Sequence, residues 1–384
     1  MRINELMHEC KERYIHNKKT ISKKKAKDLS ILLLNAPCNG FGDIVFAMKL
    51  ASYIKKWYHV TPMIASTQIQ HFINLGEDKK NMIKLETNRT EQCRRFENLK
   101  LPSDLPVFDV ILVAPMQADY NPSLHDVQQI LPYATYLNTL FFSEYNDDMD
   151  KGFDFNIGIG NGRDGIFLDS FETDTSLDTI HRLKLIPHTY AVVYIAELET
   201  SYTCMYRFIE MIVKQYKDLP SFEIVVPKWT VITHRLIQLC KPYFDQIDVI
   251  TKDEKNILYE NGFKNKLTFR KDIFPLPYKD TLSLYKYSVR EILVTGDQSI
   301  SDVIGCCDKL PFYQIVPWKK DFSKQLAALL PQKFIKSVKT SCGSLEAIHY
   351  HPNARQFIET QNFSKIGKPK LDALLRLIHD YKNM

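Results

Sequence analysis

Two stretches hold the side chains best suited to proton transfer and to anion binding. In Asn39-Gly40-Phe41-Gly42-Asp43 a carboxylate follows two glycines just before an apolar run with helical spacing, at positions 44, 45, 47, 48, 50, 51, 54 and 57. Two roles are open to Asp43. It caps the helix, or it is a general base, taking a proton from a group that the glycine backbone lets come close. The second stretch is Thr295-Gly296-Asp297-Gln298-Ser299-Ile300-Ser301-Asp302. Here a polar turn after the apolar run Ile292-Leu293-Val294 opens a short helical pattern. Its backbone N–H groups stand at a helix N-terminus, which favours an anion such as a diphosphate.

Other polar groups lie at comparable breaks. Asp119 sits in the loop 115–122, after the apolar run 108–114, and Pro317-Trp318-Lys319-Lys320-Asp321 ends the run 312–316. Residues 155–169 hold Gly158, Gly160, Gly162 and Gly165 together with Arg163. That stretch reads either as backbone that admits a ligand, with Arg163 contacting its anion, or as a bent hairpin at a domain edge. No helical pattern opens after it, and residues 39–43 lack the third glycine of a dinucleotide loop. The eight cysteines contain no Cys-x-x-Cys and read as small residues of a reducing compartment. His349 and His351 make a poor metal pair.

Strands must end where these groups stand. Apolar runs at 30–35, 60–65 and 108–114, with helical patterns at 44–57 and 68–75 and further helices to about 145, form one alternating series. A second series has strands at 190–196, 222–226, 247–251, 267–270, 292–294 and 312–316. Its helices run to 216 and over 233–240 and 281–287. A last helix over 370–381 follows a break at Lys368-Pro369. Strand–helix alternation predicts parallel, doubly wound sheets, whose ligands bind at the carboxyl ends of the strands. A chain of 384 residues exceeds one ordinary core. The expected division is an arm over 1–28, α/β domains over 29–185 and 186–350, and C-terminal helices over 351–384 returning to the first domain.

The arm carries nine basic and four acidic residues, a net +5 of the chain's formal +6. It reads as a solvated lysine-rich tail, dispensable for folding, with weak contact to an anionic membrane as its alternative. The near-neutral remainder argues against a specific nucleic-acid partner. No apolar run approaches the ~20 residues of a membrane span, and the start lacks the apolar core of a signal peptide. A cytoplasmic location is expected.

Phe274-Pro275-Leu276-Pro277, followed by residues 293–302 and then 316–321, resembles the nucleotide-sugar glycosyltransferases of the GT-B fold. That fold is α/β, with two doubly wound Rossmann-like domains facing a cleft. Gly40-Phe41-Gly42-Asp43-Ile44-Val45-Phe46-Ala47 is similar to the Gly-Asp turn of heptosyltransferases and related inverting enzymes. The resemblance implies a donor side on the second domain. Phe274, Pro275 and Leu276 would lie near the base, and Gly296, Asp297, Gln298, Ser299 and Ile300 at the diphosphate. Trp318 and Asp321 would reach the sugar, and Lys319 or Lys320 would offset the leaving charge. Asp297 and Asp302 are both candidates for the ribose.

On the acceptor side the resemblance implies Asn39, Gly40, Gly42, Asp119 and Arg163, with Asp43 as the base and Asp119 next in line. The implied reaction moves a sugar from a nucleotide-diphosphate donor to a hydroxyl of a glycan, lipid or protein. It proceeds with inversion and without metal or other cofactor. The alternatives are an epimerase or hydrolase of the same fold, and a non-catalytic two-domain binding protein.

Overall fold

The computed structural model describes residues 2–17, 19–37, 41–87, 99–114, 122–168, 175–196, 199–305, 309–314, 316, 319–347 and 353–384. The chain divides into two compact units, Met1–Phe167 with Thr360–Met384, and Leu168–Glu359.

The first unit contains α1 (Arg2–His16), α2 (Lys23–Ala26), β1 (Ile31–Asn35), α3 (Gly42–Tyr58), β2 (Met63–Ser66), α4 (Ile69–Asn74) and β3 (Met82–Lys84). A minor pair follows, β4 (Glu86–Thr87) and β5 (Leu99–Lys100), then β6 (Val110–Val113), α5 (Leu124–Ile130) and β7 (Thr139–Phe141). The main sheet runs β3-β2-β1-β6-β7, and every pairing in it is parallel. β1 is buried along its whole length, as a central parallel strand must be, because helices cover both faces. The strand order reverses between β1 and β6, so the loops after those two strands hold the ligand-binding edge. α3 ends at His59, whose left-handed φ of 60° turns its amide onto the Lys55 carbonyl.

Three expectations change here. Among the described residues the helices expected to about 145 reduce to α5, opened by a Ser123–Asp126 capping box. The residues after it pair with β6 as a strand, since Thr139-Leu140-Phe141 suits a pleated edge better than a helix. The break at Lys368-Pro369 is no break: α13 (Gly367–Lys382) takes Pro369 into its first turn, where no backbone N–H is needed. The arm over 1–28 is not a solvated tail. α1 and α2 pack against α13, Ile21 and Ala26 are buried, and Tyr14 donates to Asp380.

Lys11 shows why the charge count misled. Its stem is buried, and its ammonium lies 3.0 Å from Asp154 and 3.1 Å from the Thr139 carbonyl. Deleting residues 2–28 strips this contact from the edge strand and leaves Asp154 half-partnered. We expect a loss of about 2 kcal/mol or more, read as a lower urea midpoint at unchanged slope.

The second unit starts at residue 168, not 186. Its first helix, α6 (Leu177–Arg182), is held to it by Thr179 donating to Asp280 at 2.8 Å and by the Arg182–Asp280 ion pair. Then come β8 (Tyr190–Tyr194), α7 (Glu199–Gln215), β9 (Ser221–Val225), α8 (His234–Cys240), β10 (Gln246–Ile250), β11 (Lys255–Glu260), β12 (Lys266–Arg270) and α9 (Tyr278–Tyr287). The remainder is β13 (Glu291–Val294), α10 (Asp297–Gly305), β14 (Leu310–Tyr313), α11 (Lys320–Leu329), β15 (Lys336–Thr340), β16 (Gly343–Ala347) and α12 (Ala354–Glu359).

This sheet runs β11-β10-β12-β9-β8-β13-β14-β16-β15. Its six inner strands are parallel, and β11 and the β15–β16 hairpin add antiparallel edges. The β15–β16 hairpin carries no apolar run, and in β11 the short run Ile257-Leu258-Tyr259 is flanked by charge, which keeps an exposed edge strand soluble. The order reverses between β8 and β13. Among the described residues no helix is long and apolar enough to cross a membrane.

Candidate functional site

The carboxyl end of β13 is fixed by a buried hydroxyl network. Thr295 Oγ1 accepts from the Ala196 amide at 3.1 Å and donates to Gln314 Oε1 at 2.9 Å. Ser201 donates to the same amide oxygen at 3.1 Å. The ends of β8, β13 and β14 are thereby tied together, and α10 begins immediately after.

Asp297, the first helical residue, is 7% exposed. Its carboxylate accepts from the Tyr313 hydroxyl at 3.1 Å and lies 2.7 Å from Lys319 Nζ. Burial, then the Asp297 charge, pushes the Tyr313 hydroxyl far above its ordinary range. Lys319, expected to offset a leaving diphosphate, is thus paired with Asp297. Asp302 is one turn on and buried, and it accepts from Tyr278 at 2.6 Å. Gln298 is as buried as Asp297, and its Oε1 has no hydrogen-bond partner among the described residues. Ile300 is fully buried in the core, Ser299 is half-buried, and Asp321 opens α11.

Gly296 has room beside it, for an added Cβ would meet only Ser299 Oγ at 3.7 Å. A Gly296→Val protein should therefore keep its unfolding midpoint, while any anion held at the turn should lose on the order of tenfold or more in affinity through the bulk placed there. Calorimetric titration beside thermal unfolding checks both halves.

Aromatic rings gather at the same sheet edge. Phe274 is buried edge-on against Tyr194, with ring centres 5.2 Å apart, and Tyr194 is edge-on to Trp229 at 6.1 Å. The Trp229 indole donates to the Ile195 carbonyl. Burial pushes the Tyr194 hydroxyl up to about 12. Leu276 is buried too, which leaves the exposed Pro275 as the solvent face of that loop. Tyr194 and Trp229 were not singled out in the sequence. A tryptophan in the polar loop after β9 was the available signal.

In the first unit Asp43 lies in the first turn of α3, and the N-cap position belongs to Phe41, which makes no side-chain cap bond. The N-cap reading of Asp43 is thereby corrected: the helix starts two residues earlier, at Gly42. Buried Asn35 donates to the Asp43 carbonyl at 3.3 Å, and the Phe41 ring lies 5.1 Å from His71. Gly42 is exposed, with nothing near its missing Cβ.

Arg163 donates to the Asp147 carbonyl. Gly158, Gly160, Gly162 and Gly165 all have positive φ, and Gly158 pairs with Gly165 across an antiparallel bridge. The close approaches these glycines permit are within the same unit, Gly165 to the backbone of Gln361 and Phe363 and Gly158 to Asn146. The bent hairpin is what the chain forms. Asn39, Gly40, Asp119, Trp318, His349 and His351 lie outside the described residues.

No protein-family model and no curated protein matches the chain. Among solved structures it is similar to an alpha-glucosyltransferase in complex with UDP-glucose and DNA containing an abasic site. The identity is 9%, with 92% of this chain and 93% of that one covered, at a TM-score of 0.43. A putative UDP-N-acetylglucosamine 2-epimerase from Listeria monocytogenes is 11% identical, covering 91% and 90%, at 0.45. A glycosyltransferase from Rickettsia africae is 12% identical, covering 93% and 97%, at 0.41. The fold assignment rests on the strand order itself.

Proposed function

We propose that the chain is a glycosyltransferase of the GT-B type that uses a nucleotide-diphosphate sugar. The observation that carries this reading is the turn at Gly296, which opens the nine-residue α10 where the order of the second sheet reverses. Parallel α/β sheets bind ligands at that point, and a helix N-terminus there suits a diphosphate. The rings of Tyr194, Phe274 and Trp229 at the same edge offer a wall for a base.

The donor is assigned to the second unit, and Asp43 is the proposed general base. The Asp43 carboxylate takes the proton of an acceptor hydroxyl as that oxygen bonds to the anomeric carbon. The bond from that carbon to the diphosphate breaks, and the nucleoside diphosphate leaves with the electron pair. One displacement inverts the anomeric centre. The backbone N–H groups that open α10 meet the departing charge without a metal ion, Lys319 being already paired with Asp297. The link to heptosyltransferase-like enzymes rests on the Gly40 to Asp43 turn alone.

A thermal-shift screen of nucleotide sugars tests the donor. A bound donor at 100 times its Kd raises stability by about 2.7 kcal/mol. Nucleoside diphosphate release that depends on an added acceptor would then mark a transferase. Release without acceptor would mark a hydrolase, and no hit at all would reject the reading.

A further inference from the structure

The turn that would take the diphosphate already contains an anion. Asp297 is the first residue of α10, more than nine-tenths buried, and held by the Lys319 ammonium at 2.7 Å and the Tyr313 hydroxyl at 3.1 Å. Its charge pairs the nearest lysine and offsets part of the positive end of the helix before any ligand arrives. Next to it, Gln298 is equally buried with an amide oxygen that finds no donor among the described residues. Buried amides are seldom left so. A bare phosphate has acceptors only, whereas a sugar ester brings hydroxyl donors.

We infer that this turn selects for low ligand charge and for hydroxyls, with Asp297 as the residue that determines specificity for the sugar ester over the free nucleoside diphosphate. The inference rests on the nucleotide-sugar reading and extends it. A diphosphate diester carries one charge per phosphorus, while the product's terminal phosphate takes up further charge near neutral pH, its second ionisation falling at about 6. In a buried turn each extra negative charge is opposed by Asp297. The donor is held, and the product is pushed out once transfer has occurred.

Titration calorimetry of the full chain with UDP, UDP-glucose and inorganic pyrophosphate tests this on the parent and on Asp297→Asn, with Asp297→Ser as a second variant should the first fold poorly. The expected result is tighter UDP and pyrophosphate binding by on the order of tenfold, with a clearly smaller gain for UDP-glucose. An equal gain for all three overturns the selectivity. Weaker binding of any of them overturns it too, because Asp297 would then be a direct ligand contact. If neither protein binds a nucleotide yet the variants gain pyrophosphate, the charge selection stands and the nucleotide-sugar reading falls. No gain for pyrophosphate refutes the inference whatever the nucleotides do.

Discussion

Asp43→Asn is expected to lower turnover by roughly 10²- to 10⁴-fold, the range for removing a general base. The protein should remain folded. Phe41 fills the N-cap position without a side-chain bond, so the substitution removes no cap. What it removes is a negative charge from the first turn of α3, at a cost of about 0.3–1 kcal/mol. The backbone carbonyl that accepts from Asn35 is untouched. Donor affinity should hardly move, because the groups assigned to the donor belong to the second unit. Steady-state turnover measured beside a binding isotherm and a melting curve separates the possibilities. A stable variant with normal turnover would pass the role to another group, Asp119 being next in line, with His71, whose ring lies tilted 5.1 Å from Phe41, as a further candidate. A variant that unfolds would make Asp43 a structural residue.

The alternation of buried runs and helical patterns was enough to place the inner parallel strands, because strands covered on both faces must be apolar throughout. The β15–β16 hairpin gave no such signal, and β11 offers only Ile257-Leu258-Tyr259 between charged ends, since edge strands take polar and charged residues. The N-terminal arm was misread for a related reason. Its apolar residues, Ile21 and Ala26 among them, are scattered among lysines, and nothing local says that Lys11 will meet Asp154 across 143 positions. The same limit applies at the candidate site. The Gly296 turn was visible as a turn, but the Asp297–Lys319 pair joins loops after two different strands, and spacing carries no information about it. Gln298 was legible as a turn residue and not as a buried amide lacking a donor.

Gly165→Ala is expected to cost upwards of about 3 kcal/mol, through two effects that add. Gly165 has φ +90°, a conformation that L side chains rarely adopt and that costs of order 1–3 kcal/mol. An added Cβ would also lie 2.7 Å from the Gln361 carbonyl oxygen and 2.8 Å from the Phe363 amide nitrogen. Both are backbone atoms, so no side chain can rotate away to make room. Relief would have to come from Gln361–Phe363 itself, and that segment is pinned. The Ile166 amide donates to the Gln361 carbonyl at 2.7 Å, and the Phe363 amide donates back to the Ile166 carbonyl at 2.8 Å. The Phe363 ring packs 5.1 Å from Phe167 and 5.9 Å from Phe155. Moving it would open the core just where the chain enters α13. Gly42→Ala is the contrast: its Cβ meets nothing, and alanine in the first turn of α3 should be neutral or stabilising by up to about 1 kcal/mol. Urea unfolding of the two variants side by side gives the answer. If Gly165→Ala costs less than Gly42→Ala gains, Gln361–Phe363 yields more readily than its hydrogen bonds imply, and close packing is not why a glycine stands at 165.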